Sequence, residues 1–212
     1  MDSSIARRTG MTLPRLAALL MAGLIALLAG LLWWPWLASA DAAVNRFLGP
    51  YRVQPLLDGF IWLTAFGANP ALAAVCVTTT GLLGVARLPA LILPLWVAFL
   101  GAAATSWSLK HLVARARPEF LEVVRANSPS FPSGHSISAM AVYGFVAFVL
   151  MSHGPGGRLA AVLPVVLGLL IVLVGFSRIF LSVHYTSDVL AGFLGGAFWL
   201  VIAILLARRT SR

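Results

Sequence analysis

The chain has 212 residues, of which 60% are hydrophobic and only 10% charged, whereas globular chains carry roughly a quarter charged residues. So little polar surface excludes a soluble fold, and with it the soluble nucleic-acid-binding domain that a net charge of +9 would otherwise suggest. The length suits one compact domain, residues 1–212. Cys76 is the single cysteine, which rules out an intrachain disulfide and a thiolate metal cluster and leaves a small buried hydrophobe as its expected role.

A spanning helix needs about 20 apolar residues, and six segments qualify in chain order. Leu16–Leu37 is the first. Leu56–Phe66 is apolar but follows Arg46 and Arg52 and contains Asp58, and reads as an interfacial helix leading into the second span. Pro70–Val85 is that second span; it is short, with Asn69 expected as its cap and Pro70 at its first position. Leu88–Leu109 is the third, with a kink expected at Pro94. Ile137–Met151 forms the body of the fourth, starting near Ser133. Leu159–Leu181 is the fifth and Val189–Ala207 the sixth. The predicted fold is all-α, a polytopic bundle of six transmembrane helices.

Arg7, Arg8 and Arg15 precede the first span, which places the N-terminus in the cytoplasm by the positive-inside rule. Six spans then put Arg87, Arg158, Arg208, Arg209 and Arg212 on the same side. Ala38-Ser39-Ala40 resembles a signal-peptidase site, but the apolar run before it is longer than a signal peptide's, so an uncleaved span is expected. The loop 110–132 breaks the charge pattern. It faces outward yet holds Lys110, Arg115, Arg117 and Arg125, and an anionic ligand would explain such a loop.

Three polar clusters share that face. K-H-L-V-A-R-A-R-P (Lys110–Pro118) ends the third span, F-P-S-G-H-S (Phe131–Ser136) opens the fourth, and S-R-I-F-L-S-V-H-Y-T-S-D (Ser177–Asp188) joins the fifth to the sixth. Each of Lys110, Arg117 and Arg178 alone reads as a snorkelling lipid anchor. Three cations together with backbone N–H groups at a helix start make a phosphate site. Gly134 lets the backbone approach an oxygen closely and Ser133 can donate its hydroxyl, although P-S-G alone reads as a turn and N-cap. His184 and Asp188 are four apart, so the carboxylate can hold one ring nitrogen's proton and free the other lone pair for attack. His135, on another span at the same level, suggests a division between nucleophile and general acid. His111 has no evident partner and His153 reads as solvated. Arg115 and Arg125 read as steering charges paired with Glu119 and Glu122. Ala191, Gly192, Gly195 and Gly196 read as close helix packing.

K-x6-R-P at 110–118, P-S-G-H at 132–135 and S-R-x5-H-x3-D at 177–188 resemble the three motifs of the type 2 phosphatidic acid phosphatase superfamily, which includes the vanadium-dependent haloperoxidases. All three occur in order and with the expected internal spacing. Thr186 stands where many relatives have proline, which should alter the turn before the sixth span. The resemblance implies His184 as nucleophile forming a phosphohistidine, Asp188 as its orienting partner and His135 as acid to the leaving group. Lys110, Arg117, Arg178, Ser133 and Gly134 would hold the phosphoryl oxygens, with no metal and no other cofactor. The haloperoxidase branch is soluble, so the spans point to the lipid-phosphatase branch. The expected protein lies in a bacterial inner membrane with its catalytic face outward. It would act on undecaprenyl pyrophosphate, phosphatidylglycerol phosphate or phosphatidic acid; its partners are its lipid substrate and membrane lipids, and nucleic acid is not among them. A lipid phosphotransferase, or a non-catalytic lipid-binding or transport protein, are the alternatives.

Overall fold

The computed structural model describes residues 35–118, 128–154 and 156–210, with a few residues between 12 and 23. Most of Leu16–Leu37 therefore lies outside the described residues, as do Glu119, Glu122 and Arg125. The described residues form helices joined by turns and short 3-10 segments, with no strand among them.

Helix α1 is Pro35–Leu48, α2 is Leu56–Thr64 and α3 is Asn69–Val85. The longer helices are α4, Ile92–Val113; α5, Gly134–His153; α6, Arg158–Phe180; and α7, Thr186–Thr210. With the 3-10 turn at Pro89–Leu91 that precedes α4, these last four are each long and apolar enough to cross a membrane. The segment from α2 through Gly67 pairs with α3 across a 48° bend, and the two together pass the same test. The described residues thus supply four spanning helices, or five if the bent pair is one span.

Two local expectations are corrected. Asn69 is the first residue of α3 rather than its cap; Ala68 holds the N-cap position in extended geometry, and no side chain caps the helix. Pro70 consequently sits one residue further in. Pro94 falls in the first turn of α4, where its missing N–H costs no intrahelical bond and produces no break. Ser133 does cap α5, its hydroxyl accepting from the Ser136 amide.

Helix α5 is the central post, packed by α4, α6 and α7. Its Ile137, Val142 and Phe145 are fully buried with Leu95 and Ala98 of α4, Val174 of α6 and Ala203 of α7. Cys76 lies in this core as a free, buried thiol. Glycine on α7 permits the closest approach. A Cβ on Gly196 would fall 2.4 Å from the Ile137 carbonyl oxygen, and one on Gly192 would fall 2.9 Å from that of Ser133. Two indoles tie neighbouring helices: Trp199 Nε1 donates to Thr105 Oγ1 at 2.9 Å, and Trp96 Nε1 to Thr80 Oγ1 at 3.1 Å. The outer face of α6 exposes Val162, Val165, Leu169 and Val172, which suits contact with lipid tails.

Gly196→Ala should lower the melting temperature in detergent, because its Cβ meets backbone that cannot yield and overpacking costs about 1–3 kcal/mol. Gly81→Ala on α3 meets nothing within 4 Å and should leave the melting temperature unchanged or raise it. Thermal unfolding of the two purified variants checks both.

Candidate active site

The three polar segments meet at one end of the bundle. Lys110 lies in the last turn of α4, Gly134 in the first turn of α5, Arg178 in the last turn of α6 and Asp188 in the first turn of α7. Arg87, Arg158, Arg208 and Arg209 lie at the other ends of these helices and are exposed.

Helix geometry positions Asp188. It is the third residue of α7, and its Oδ2 accepts from the Tyr185 amide at 2.9 Å. A side chain at that position reaching back to the residue before the helix satisfies a donor that the helix leaves unpaired. The carboxylate is fully buried. Its Oδ2 also accepts from the Ser130 hydroxyl, and its Oδ1 accepts from Arg115 Nη1 at 2.6 Å. Its backbone carbonyl receives the Ser133 amide at 3.0 Å, which ties the start of α5 to the start of α7.

His184 stands in the turn between α6 and α7. Its amide and that of Val183 both donate to the Arg178 carbonyl at 3.2 Å, closing the end of α6. Ser182, just before them, takes the left-handed conformation, φ 54°, and so reverses the chain within a few residues. Nδ1 of His184 lies 3.5 Å from Asp188 Oδ2. Nε2 lies 3.4 Å from Arg117 Nη1 on the opposite side of the ring. The ring thus has a carboxylate behind it and a guanidinium in front. Burial drives the His184 imidazole down to about 3, with the Arg178 and Arg117 charges acting in the same direction and Asp188 opposing them. The ring is therefore neutral near pH 7, with a lone pair free on one nitrogen.

The cations surround this ring. Arg117 is held by backbone carbonyls, donating to Ser128 O at 2.7 Å and Val183 O at 2.6 Å. Burial lowers its pKa from the usual guanidinium value. Lys110 Nζ donates to the Pro129 carbonyl, so the 128–130 segment braces both. Arg178 is 5% exposed. It donates through Nη1 to Thr64 Oγ1 at 2.7 Å, while its buried Nε has no partner. Lys110, Arg117 and Arg178 all lie close enough to His135 for their charges to act on it. The structure thus brings Lys110, Arg117, Ser133, Gly134, His135, Arg178, His184 and Asp188 to one end of the bundle. Its cations lie near two imidazoles, and a desolvated donor is left over, an arrangement able to receive a tetrahedral oxyanion.

Several contributors were not anticipated. Arg115, expected as a steering charge, is instead an internal ion-pair partner. It bridges Asp188 and Asp41, reaching Asp41 Oδ2 at 2.9 Å. The signal was an arginine inside the first polar cluster and an aspartate in α1 beside apolar sequence, since charges at such depth are costly without partners. The 56–67 segment, read as interfacial, also reaches the site. Besides Thr64 on Arg178, a Cβ on Gly67 would fall 2.4 Å from Val174 Cγ1 and 3.1 Å from His135 Cβ, so glycine lets this bend pack close against α6 and that histidine. Arg52 Nε donates to the Phe180 carbonyl at 2.7 Å, capping α6. His111 gains a partner after all, its Nδ1 lying 2.7 Å from the Trp107 carbonyl oxygen.

The chain matches the PAP2 superfamily over residues 90–212. It is 43% identical over 86 residues to phosphatidylglycerophosphatase B of Bacillus subtilis, covering 40% of this chain and 42% of that protein. It is 35% identical over 111 residues to a lipid A 1-phosphatase of Rhizobium etli, covering 47% of this chain and 44% of that protein. Both matches thus span less than half of the relative's own length. The crystal structure of a transmembrane PAP2-type phosphatidylglycerolphosphate phosphatase from Bacillus subtilis superimposes with a TM-score of 0.84 at 28% identity, covering 91% of this chain and 96% of that one.

The depressed His184 value fixes a sign. Unfolded chains protonate a histidine near pH 6.5, while the folded ring resists protonation down to about 3. Its contribution to stability is present above pH 6.5 and is lost as pH falls from there toward 3. The melting temperature should therefore fall between pH 7 and pH 4, and His184→Gln should flatten that slope in thermal scans across buffers.

Proposed function

The chain belongs to the PAP2 superfamily, and on that footing we propose that it is a membrane lipid phosphatase working through a phosphohistidine at His184. The observation that carries the reading is the two-sided environment of the His184 ring, with Asp188 at Nδ1 and Arg117 at Nε2. Asp188 holds the proton on Nδ1, so the lone pair on Nε2 faces the cations where a phosphoryl group would be bound.

In the first step Nε2 attacks phosphorus, an N–P bond forms and the P–O bond to the lipid breaks. His135 gives its proton to the leaving oxygen. Lys110, Arg117 and Arg178 neutralise charge on the equatorial oxygens, assisted by the Ser133 hydroxyl and the Gly134 amide. In the second step water attacks phosphorus, His135 accepts its proton, the N–P bond breaks, and inorganic phosphate leaves with His184 restored. The unpartnered Arg178 Nε supports this assignment, because a buried donor without an acceptor costs about 1–3 kcal/mol that a phosphoryl oxygen would recover. These cations supply the charge stabilisation without recourse to a metal.

Six spans follow if Leu16–Leu37 crosses once and the bent pair α2–α3 crosses once. Exposed arginines at the end remote from the site support the reading of an outward-facing site in a bacterial inner membrane, within one domain covering residues 1–212. Phosphatidylglycerol phosphate is the leading substrate, favoured by the coverage of the solved relative; undecaprenyl pyrophosphate and phosphatidic acid follow. Transfer of the phosphoryl group to an acceptor lipid, and lipid binding without turnover, are the competing readings.

His184→Ala should bind phosphatidylglycerol phosphate and release no phosphate, whereas the parent releases free phosphate and leaves no labelled acceptor lipid. Parent incubated with substrate labelled in the terminal phosphate and stopped in alkaline detergent, where an N–P bond survives, should carry acid-labile label on the protein, and His184→Ala should carry none. Turnover by His184→Ala at the parent rate would remove the nucleophile assignment. Orientation is checked in cells on a background lacking Cys76. A cysteine in the 110–132 loop should react with an impermeant thiol reagent, and one replacing Arg158 should not.

A further inference from the structure

The phosphoryl chemistry leaves two paired charged residues unused, the buried Asp41 and the half-buried Arg115. Asp41 comes from α1, far from the three motif segments in sequence, and is 3% exposed. It accepts Arg115 Nη2 at 2.9 Å through Oδ2, the Ser187 amide at 3.0 Å through Oδ1, and the Ser187 hydroxyl. Arg115 Nη1 donates to Asp188 Oδ1 at 2.6 Å and to Ser187 Oγ at 2.8 Å. Its guanidinium lies 4.0 Å above the Tyr185 ring, a stacking that fixes its plane.

The two oxygens of Asp188 thereby have separate duties. Oδ1 is committed to Arg115, while Oδ2 accepts from Ser130 and the Tyr185 amide and faces His184. A carboxylate held at both oxygens cannot rotate away from the ring. Without a counter-charge a fully buried carboxylate would be strongly disfavoured. Arg115 differs here from Arg117. Both its terminal nitrogens are engaged by Asp41, Ser187 and Asp188, whereas Arg117 lies against the His184 Nε2 face where the phosphoryl group would sit.

We infer that Arg115, anchored by Asp41, is a positioning residue for the phosphatase reaction, acting on His184 through Asp188 and not on the substrate. The inference rests on the proposed phosphohistidine chemistry. As His184 attacks, its ring gains positive charge, and only a correctly aimed, ionised Asp188 can stabilise that charge. Arg115 is thus required for kcat and not for substrate affinity. Asp41 makes the same contribution more weakly, one contact further away.

The test uses the full-length purified protein in detergent with phosphatidylglycerol phosphate as substrate; the parent's own turnover, measured alongside, reports on the phosphatase reading separately. Arg115→Gln should lower kcat by about tenfold or more with KM within roughly twofold of the parent. Asp41→Asn should lower kcat less, again with KM preserved. Combining Arg115→Gln with Asp188→Asn should cost no more than Asp188→Asn alone, because both act at one point. If Arg115→Gln does not fold, Arg115→Lys and Asp41→Asn carry the same comparison, a reduced kcat at constant KM supporting the inference. Three results would overturn it: kcat at the parent level in a folded Arg115 variant, a rise in KM with kcat unchanged, or independent multiplication of the Arg115 and Asp188 losses.

Discussion

A single buried carboxylate organises this end of the molecule. Asp188 receives the Arg115 guanidinium, the Ser130 hydroxyl and the Tyr185 amide on its side chain, and the Ser133 amide on its carbonyl. Through these bonds the segments after α4, before α5 and before α7 are drawn to one place. An unpaired carboxylate at that depth is so unfavourable that any arrangement leaving one contact unmade is penalised. The burial of one charge thus acts as the constraint that sets the geometry of its neighbours, and His184 Nδ1 lies 3.5 Å from its Oδ2.

The cations are handled differently. Lys110 and Arg117 are held by backbone carbonyls of the 128–130 segment and of Val183, not by carboxylates. A carbonyl dipole orients a cation without cancelling its charge. The field at the His184 and His135 rings therefore stays positive, because the charge of these cations is not cancelled by a carboxylate of their own. Arg115 is the exception, neutralised by two aspartates. Its neighbour two residues on keeps a free field, so two arginines in one motif have opposite electrostatic fates.

The helical scaffold explains how such a site can sit at the end of an apolar bundle. Irregular backbone is tolerated at membrane depth only where it is buried in protein or lines a cavity. The turn 181–185 meets that condition. Leu181 and Val183 are buried with Leu48 of α1, Leu57 of α2 and Phe180 of α6, and Arg52 occupies the open carbonyls of α6. The bend at Gly67 adds a further wall, bringing Thr64 to Arg178 and backbone to His135. Close glycine-mediated contact between α5 and α7 sits directly beneath, so the P-S-G-H segment and the histidine turn are set on adjoining helix ends.

The chain's hydropathy was enough to mark α4 to α7 as long apolar helices, and the alternation of spans was enough to bring three polar clusters to one face. Both follow from local rules: apolar length decides a span, and an even number of crossings decides a side. The cap at Ser133 and the i, i+4 relation of His184 to Asp188 were legible for the same reason, being set by residues close in sequence. What only tertiary structure decided are contacts between distant segments. The partner of Arg115 is Asp41, 74 positions away; that of Arg178 is Thr64, 114 away; Gly67 meets His135. The short 56–67 segment carried no sign that it would bend against the site, and Pro94 carried no sign that it would fall inside a first turn rather than a helix interior. Charge type and spacing can show that a buried ion needs a counter-ion, but which residue answers depends on how the helices pack, and that is settled by the shapes of whole surfaces rather than by any short stretch of chain.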